Sequence, residues 1–342
     1  MKTVLFHTKN YQDHSLHYIF YNDPDFVEAM EQRQIKFVQS RHSDRGSFDC
    51  VLFLEADAIG VAPRRGGFKG VYDRIVKCKS DDEIYRKYQK QIGVNRLHLM
   101  IAEGVVHKPE NHSSQLSDMV GSVLTWNDDL VDGVKFHKYN WPLPLKWGHF
   151  GAVSSEREKL LVNISANKYS GVDGELYSAR RTAIRVFEKN FPENFDLYGI
   201  GWNRAATRVQ RSLNFLTPYY RSYKGSLESK AEVLEKYRFA LCYENAVVPG
   251  WITEKIFDCF RSGCIPIYLG APNIEEYIPK GAFIDRREYS TDQDVSDFIS
   301  QISTREILNM QECIREYLKS SRYREFLVTS LAERIAAVVN GL

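Results

Sequence analysis

Short apolar runs alternate with amphipathic stretches along most of the chain. Residues 3–7 (TVLFH), 48–55 (FDCVLFLE), 97–102 (LHLMIA) and 120–126 are apolar and of strand length. Between them, 25–33 and 81–91 carry apolar positions at helical spacing, the second with the acidic first turn that a helix start favours. The rhythm stops at 139–148 (YNWPLPLKWG), where two prolines exclude long regular structure, and at 151–158, a polar segment that reads as a linker. A second series follows. Strands are predicted at 160–165 (LLVNIS), 195–198 (FDLY), 238–243, 264–269 and 282–285. Helices are predicted at 177–189, 227–236, 253–262, 295–300 and over much of 305–340. Strands alternating with helices predict parallel sheets with helices packed on them.

The 342 residues suit two domains at roughly 150 residues each. The expected division is 1–155 as an N-terminal Rossmann-like domain, 156–304 as a second one, and 305–342 as a helical segment that packs back on the first. Apolar positions at Ile314, Leu318, Phe326, Leu327, Leu331 and Ile335 fall roughly at helical spacing in that last segment. Mixed charges there favour internal packing, with membrane-surface binding as the second reading. Open α/β sheets bind ligands at the carboxyl ends of their strands, so a cleft between the domains is the expected site.

The densest pattern runs from Tyr237 to Gly270 (YRFALCYENAVVPGWITEKIFDCFRSGCIPIYLG) and reads as strand, loop, helix, strand. Pro249-Gly250 is a turn signal, and Gly263 stands where a helix C-cap glycine belongs. Charged and aromatic side chains crowd the start of the helix: Glu244, Asn245, Trp251, Thr253, Glu254 and Lys255. A helix N-terminus favours an anion, so a diphosphate placed here gains from the dipole and from Lys255. Glu254 can accept hydrogen bonds from ribose, and Asn245 and Trp251 can touch a base or a sugar. On local grounds alone, dipole compensation by Glu254 and a solvated Lys255 are the slightly favoured reading.

Composition narrows the choices. A net charge of +2 gives no support to a nucleic-acid partner. No run approaches the ~18 apolar residues of a membrane span, and the first residues suit a strand better than a leader. None of the six cysteines forms a C-x-x-C pair or a zinc-like cluster with histidine, and Cys50, Cys242 and Cys264 lie in apolar runs. A soluble protein of a reducing, cytoplasmic compartment is expected, with peripheral membrane contact as its variant.

Other chemistry is thinner. Arg180 and Arg181 lie near the start of the helix after LLVNIS, where a cation opposes the dipole and a bound anion would explain it; Arg221 is a weaker candidate. Glu103 ends an apolar strand, a position suited to a general base, although an isolated strand-end carboxylate more often faces solvent. Gly199-x-Gly201-x-x-Arg204 lacks the third glycine of a dinucleotide fingerprint. The basic, glycine-rich segment 62–70 does not match a P-loop. Asp23-Pro24-Asp25 and Asp292-Gln293-Asp294 lie in polar sequence and read as solvated loops, so no metal is expected. The sequons at Asn111 and Asn163 matter only in a secretory compartment.

The run 237–272 closely resembles the donor-binding signature of the α1,3/α1,4-fucosyltransferases, glycosyltransferase family 10. Its parts are present as Tyr237 to Phe239, Glu244-Asn245, Trp251 to Lys255, and Pro266 through Gly270 to Pro272. Glu103, TWNDDLVD at 125–132, and LLVNIS followed by Asn167 and Arg180 are similar to further family segments. Trp251 stands where tyrosine is commoner, and Gly104 where many members have Ser-Pro. The resemblance implies a GT-B fold of two facing Rossmann-like domains, with the acceptor mainly on the first and GDP-L-fucose on the second. It implies inverting transfer of fucose from GDP-β-L-fucose to an oligosaccharide or glycoconjugate, α1,3 or α1,4 on a GlcNAc-containing acceptor. Glu103 would be the base, Lys255 and Arg180 would neutralise the diphosphate, and Glu254 would bind ribose. Asn245, Trp251 and Thr253 would shape the rest of the donor pocket, with no cofactor and no metal. The alternatives are a GT-B transferase using another nucleotide sugar, and a non-catalytic sugar-nucleotide- or glycan-binding protein.

Overall fold

The computed structural model describes residues 1–8, 15–39, 47–61, 78–145, 150–151, 153–203 and 220–341. The glycine-rich segment 62–70, the end of the proline-rich segment at 146–148, and Arg204 lie outside the described residues. The chain forms two compact units, Met1–Leu145 with Glu325–Leu342, and Lys146–Arg324.

In the first unit the elements follow as β1 (Lys2–Thr8), α1 (Ser15–Asn22), α2 (Pro24–Gln32), β2 (Ile35–Gln39), β3 (Cys50–Leu54), α3 (Cys78–Ile92), β4 (Leu97–Met100), β5 (Ser122–Thr125) and β6 (Phe136–Lys138). The strands form one parallel sheet in the order β2-β1-β3-β4-β5-β6. Its central strands are buried on both faces, which is why they read as unbroken apolar runs. Leu5, Val51, Phe53, Leu97, Leu99 and Val123 are fully buried, and Tyr85 and Tyr88 of α3 pack against them. The edge strands β2 and β6 (IKFVQ and FHK) escape the hydrophobic pattern because they are half-covered and carry polar positions.

The second unit contains β7 (Lys159–Ile164), α4 (Tyr177–Asn190), β8 (Phe195–Tyr198), β9 (Tyr223–Gly225), α5 (Lys230–Leu234), β10 (Tyr237–Tyr243), α6 (Glu254–Arg261), β11 (Ile265–Leu269), β12 (Ile284–Asp285), α7 (Asp292–Gln301) and α8 (Thr304–Tyr317). Its parallel sheet has the order β12-β11-β10-β7-β8-β9. The chain enters at the middle, winds to one edge through β8 and β9, then crosses to β10 and winds to the other. This is the doubly wound nucleotide-binding order, with the reversal between β7 and β10. The helix expected at 227–236 is shorter, because Ser229 caps α5 by accepting the Glu232 N–H.

The final helix α9 (Val328–Asn340) belongs to the first unit and packs on α2. The six apolar positions from Ile314 to Ile335 are all buried, so they form core rather than an apolar outer face. Among the described residues no helix is long and apolar enough to cross a membrane. The two Asp-x-Asp pairs stand at helix starts rather than in solvated loops. Asp23 accepts the Phe26 N–H, Asp294 belongs to the Thr291 capping box, and Asp292 is buried 2.6 Å from Arg286 Nε. Among the described residues no His, Cys, Asp and Glu cluster could hold a metal ion. Both sequon asparagines, Asn111 and Asn163, are buried and used internally.

Candidate active site

A doubly wound sheet opens a crevice at the carboxyl ends of the two strands between which its order reverses. A cavity of about 540 Å³ lies there in the second unit, at the ends of β7 and β10 and the start of α6. That volume is in the range of small-ligand sites. Its wall includes Ser165, Arg180, Asn245, Glu254, Lys255 and Asp258. Four of the six expected donor-site residues thus meet on one surface. Trp251 and Thr253 are buried and do not line it.

Glu244, directly after β10, organises the junction. It is fully buried. Its Oε1 accepts the Thr253 N–H at 2.8 Å, and the Thr253 hydroxyl lies 2.9 Å from each carboxylate oxygen. Its Oε2 accepts from Lys255 Nζ at 2.8 Å, and Lys255 also donates to the Thr253 Oγ at 2.7 Å. A lysine in the first turn of a helix opposes the dipole, and the buried carboxylate offsets that cost. Burial alone would lower the Lys255 ammonium, but Glu244 and Glu254 outweigh it and hold it well above its ordinary value. Burial would raise the Glu254 carboxyl, yet Lys255 and Lys230 hold it below its ordinary range. One turn on, burial raises the Asp258 carboxyl, which lies 3.4 Å from Lys230 Nζ.

Arg180 reaches the same place from α4. Its guanidinium is buried, and Nη2 donates to the carbonyls of Tyr243 at 2.5 Å and Glu244 at 3.0 Å. Burial lowers its pKa, partly offset by Tyr177 and Glu244, but arginine remains charged. Arg181 turns away, donating to the Lys168 carbonyl at 2.6 Å, and neither it nor the exposed Arg221 lines the cavity.

Glu103 stands in the first unit, three residues beyond the end of β4. Its side chain is 34% exposed, with Oε2 3.2 Å from His107 Nδ1. Glu55 at the end of β3 accepts the Glu103 N–H at 2.8 Å.

Residues 176–323 match the profile of glycosyltransferase family 10 (fucosyltransferase), C-terminal part. The match covers less than half of the chain. The matched segment contains α4 with Arg180 and the whole β10–α6–β11 junction. GDP-fucose protein O-fucosyltransferase 3 of Xenopus laevis is 36% identical over 104 residues, 30% of this chain and 22% of that protein. An alpha-(1,3)-fucosyltransferase of Helicobacter pylori is 33% identical over 79 residues, 23% of this chain and 16% of that protein. The chain thus spans no more than about a fifth of the length of these curated relatives. The crystal structure of an alpha1,3-fucosyltransferase superposes with a TM-score of 0.55 at 12% identity, covering 99% of this chain and 90% of that one. Anabaena HepE, in complex with UDP-glucose, superposes with a TM-score of 0.56 at 10% identity over the whole of both chains. The family 10 segment therefore sits within a GT-B fold of two parallel-sheet α/β units.

Two residues at this junction went unassigned in the sequence. Glu244 was visible within the motif, but its part as buried anchor depends on three elements meeting. Asp258 follows Glu254 by one helical turn, which places both on the cavity side of α6.

Proposed function

We propose that this protein is an inverting fucosyltransferase that uses GDP-β-L-fucose. The observation that carries the reading is the cavity at the β7–β10 reversal, walled by Arg180, Asn245, Glu254 and Lys255 within the family 10 segment. Fixed positive charge from Arg180 and Lys255 meets the diphosphate, and Glu254 takes the ribose hydroxyls. Asn245 touches the nucleotide or the fucose, while Trp251 and Thr253 act from behind the wall by fixing the loop and Lys255. Glu103 removes the proton from the acceptor hydroxyl as its oxygen bonds to fucose C1. The bond from C1 to the β-phosphate oxygen breaks, and GDP leaves with the electron pair. Preorganised cations stabilise that developing charge, so the step requires no general acid on the leaving group and no metal.

The acceptor is a hydroxyl of a GlcNAc-containing glycan, fucosylated in α1,3 or α1,4 linkage. A second acceptor class, a hydroxyl on a polypeptide, is favoured by the 36% identity to a protein O-fucosyltransferase. The GT-B fold by itself does not choose the nucleotide, since HepE shares it and binds UDP-glucose. A calorimetric panel of GDP-fucose, GDP-mannose and UDP-sugars tests the donor. Measuring GDP release from GDP-fucose over an array of glycan and folded-protein acceptors tests the reaction. Tight binding of a UDP-sugar with no affinity for GDP would overturn the donor assignment. GDP binding with no release on any acceptor would leave a non-catalytic binding protein.

A further inference from the structure

Glu55, directly after β3, has φ +71° and ψ 148°, a conformation that residues other than glycine seldom adopt and that clusters at functional sites. Its side chain is buried and turned onto the neighbouring strand end. Oε1 accepts the Glu103 N–H at 2.8 Å, and Oε2 accepts the Ala102 N–H at 3.4 Å and Asn111 Nδ2 at 2.5 Å. Asn111 is fully buried as well. Its Nδ2 also donates to the Glu103 carbonyl at 2.9 Å, and its Oδ1 accepts the Ala56 N–H at 3.0 Å. Glu55 and Asn111 therefore grip both the N–H and the C=O of Glu103. Just upstream, Trp126 Nε1 donates to the Ala102 carbonyl at 2.9 Å, and the Tyr139 hydroxyl donates to the Ile101 carbonyl at 2.7 Å. Four buried side chains thus fix the backbone of 101–103, while the Glu103 side chain stays partly open beside His107.

We propose that Glu55 is a positioning residue for Glu103, an inference that rests on Glu103 being the general base. A base must sit within hydrogen-bond reach of the proton it takes, and displacement by an ångström is costly. The unusual backbone at Glu55 aims a carboxylate at the Glu103 peptide, so the geometry of the base is set from a neighbouring strand. Glu55→Gln turns one accepting oxygen into an NH2 that opposes the Asn111 amide and the Ala102 N–H, loosening the grip while keeping the shape.

The test compares full-length wild type, Glu55→Gln and Glu103→Gln. It measures kcat and KM with GDP-fucose and the acceptor that releases GDP, GDP affinity by calorimetry, and amide hydrogen exchange at Glu103. The expected result for Glu55→Gln is a kcat lower by roughly tenfold or more, with both KM values little changed. GDP affinity should stay within about twofold, because its site lies in the other unit. The Glu103 amide should exchange roughly tenfold faster or more. An unchanged kcat with Glu103→Gln inactive overturns the positioning role alone. Full transfer by Glu103→Gln overturns the base assignment and the positioning role with it. A Glu103 amide as protected in Glu55→Gln as in wild type overturns the grip, whatever the activity.

Discussion

Lys255 Nζ lies 2.8 Å from Oε2 of Glu244, a carboxylate with no exposed surface. The pair joins the end of β10 to the start of α6, and it puts the ammonium on the wall of the cavity. Two effects of Lys255→Ala therefore need separating. Removing the cation strands a buried carboxylate, which should cost about 3 kcal/mol of stability. Removing a charge-assisted contact to the diphosphate should cost about 1.5–3 kcal/mol of GDP affinity, roughly 10- to 150-fold. The double variant Glu244→Gln with Lys255→Met should regain most of the stability and none of the affinity. Urea unfolding and calorimetry give the two readings. Wild-type GDP affinity in Lys255→Ala would remove this residue from the donor site.

The sequence left open which of two adjacent arginines meets an anion. Arg180 is buried and bonded to the Tyr243 and Glu244 carbonyls, whereas Arg181, which does not line the cavity, donates to the Lys168 carbonyl. Arg180→Lys should weaken GDP binding roughly tenfold or more, because a compact ammonium lacks the rigid, five-donor fork that can bond the Tyr243 and Glu244 carbonyls on one side and a phosphate on the other. Arg181→Ala should change affinity less than about twofold. Equal losses in the two variants would show that the contribution is long-range charge rather than contact.

Central strands were legible because burial on both faces leaves an apolar run, as in CVLFL of β3 or YRFALCY of β10. The edge strands β2, β6 and β9 were not, since sequences such as FHK and YKG carry no two-residue or helical period of their own. Part of the site was legible for a related reason. Glu254 and Lys255 stand at a helix start that proline, glycine and apolar spacing mark in the sequence. The burial of Arg180 was hidden, because α4 meets the end of β10 across a separation of 63 positions in the chain. The grip on Glu103 was hidden more deeply: its parts, Glu55 and Asn111, lie 48 positions before Glu103 and 8 after it.

Gly270 shows how close that packing is. A Cβ there would fall 2.6 Å from Glu244 Cγ and 2.5 Å from the Tyr268 hydroxyl. Gly270→Ala should therefore destabilise by about 1–3 kcal/mol through overpacking. It should also lower GDP affinity, because the displaced Glu244 carries Thr253 and Lys255 with it, although residue 270 does not line the cavity. Calorimetry on the folded variant decides this. Loss of stability with GDP affinity intact would mean that Lys255 is placed independently of Glu244.

The first unit carries a pH sensor of stability in His98. Its imidazole is 4% exposed on β4, with no hydrogen-bond partner for Nδ1 among the described residues. Burial, reinforced by Lys2 and His137, lowers its pKa from 6.5 to about 4. The unfolded chain therefore binds a proton that the folded chain refuses between those two values. A group with a depressed folded pKa contributes its stability above the unfolded pKa and loses it as pH falls. The gap corresponds to about 3 kcal/mol, of which about 2 kcal/mol is gone by pH 5. His98→Leu removes the titration and puts an apolar side chain in this buried position. Other groups titrate over the same range, so the informative quantity is the difference between the two proteins. Urea unfolding at pH 7 and pH 5 should show wild type losing about 2 kcal/mol more than the variant. Parallel losses in both proteins would mean that His98 gains its proton in the folded state at little cost.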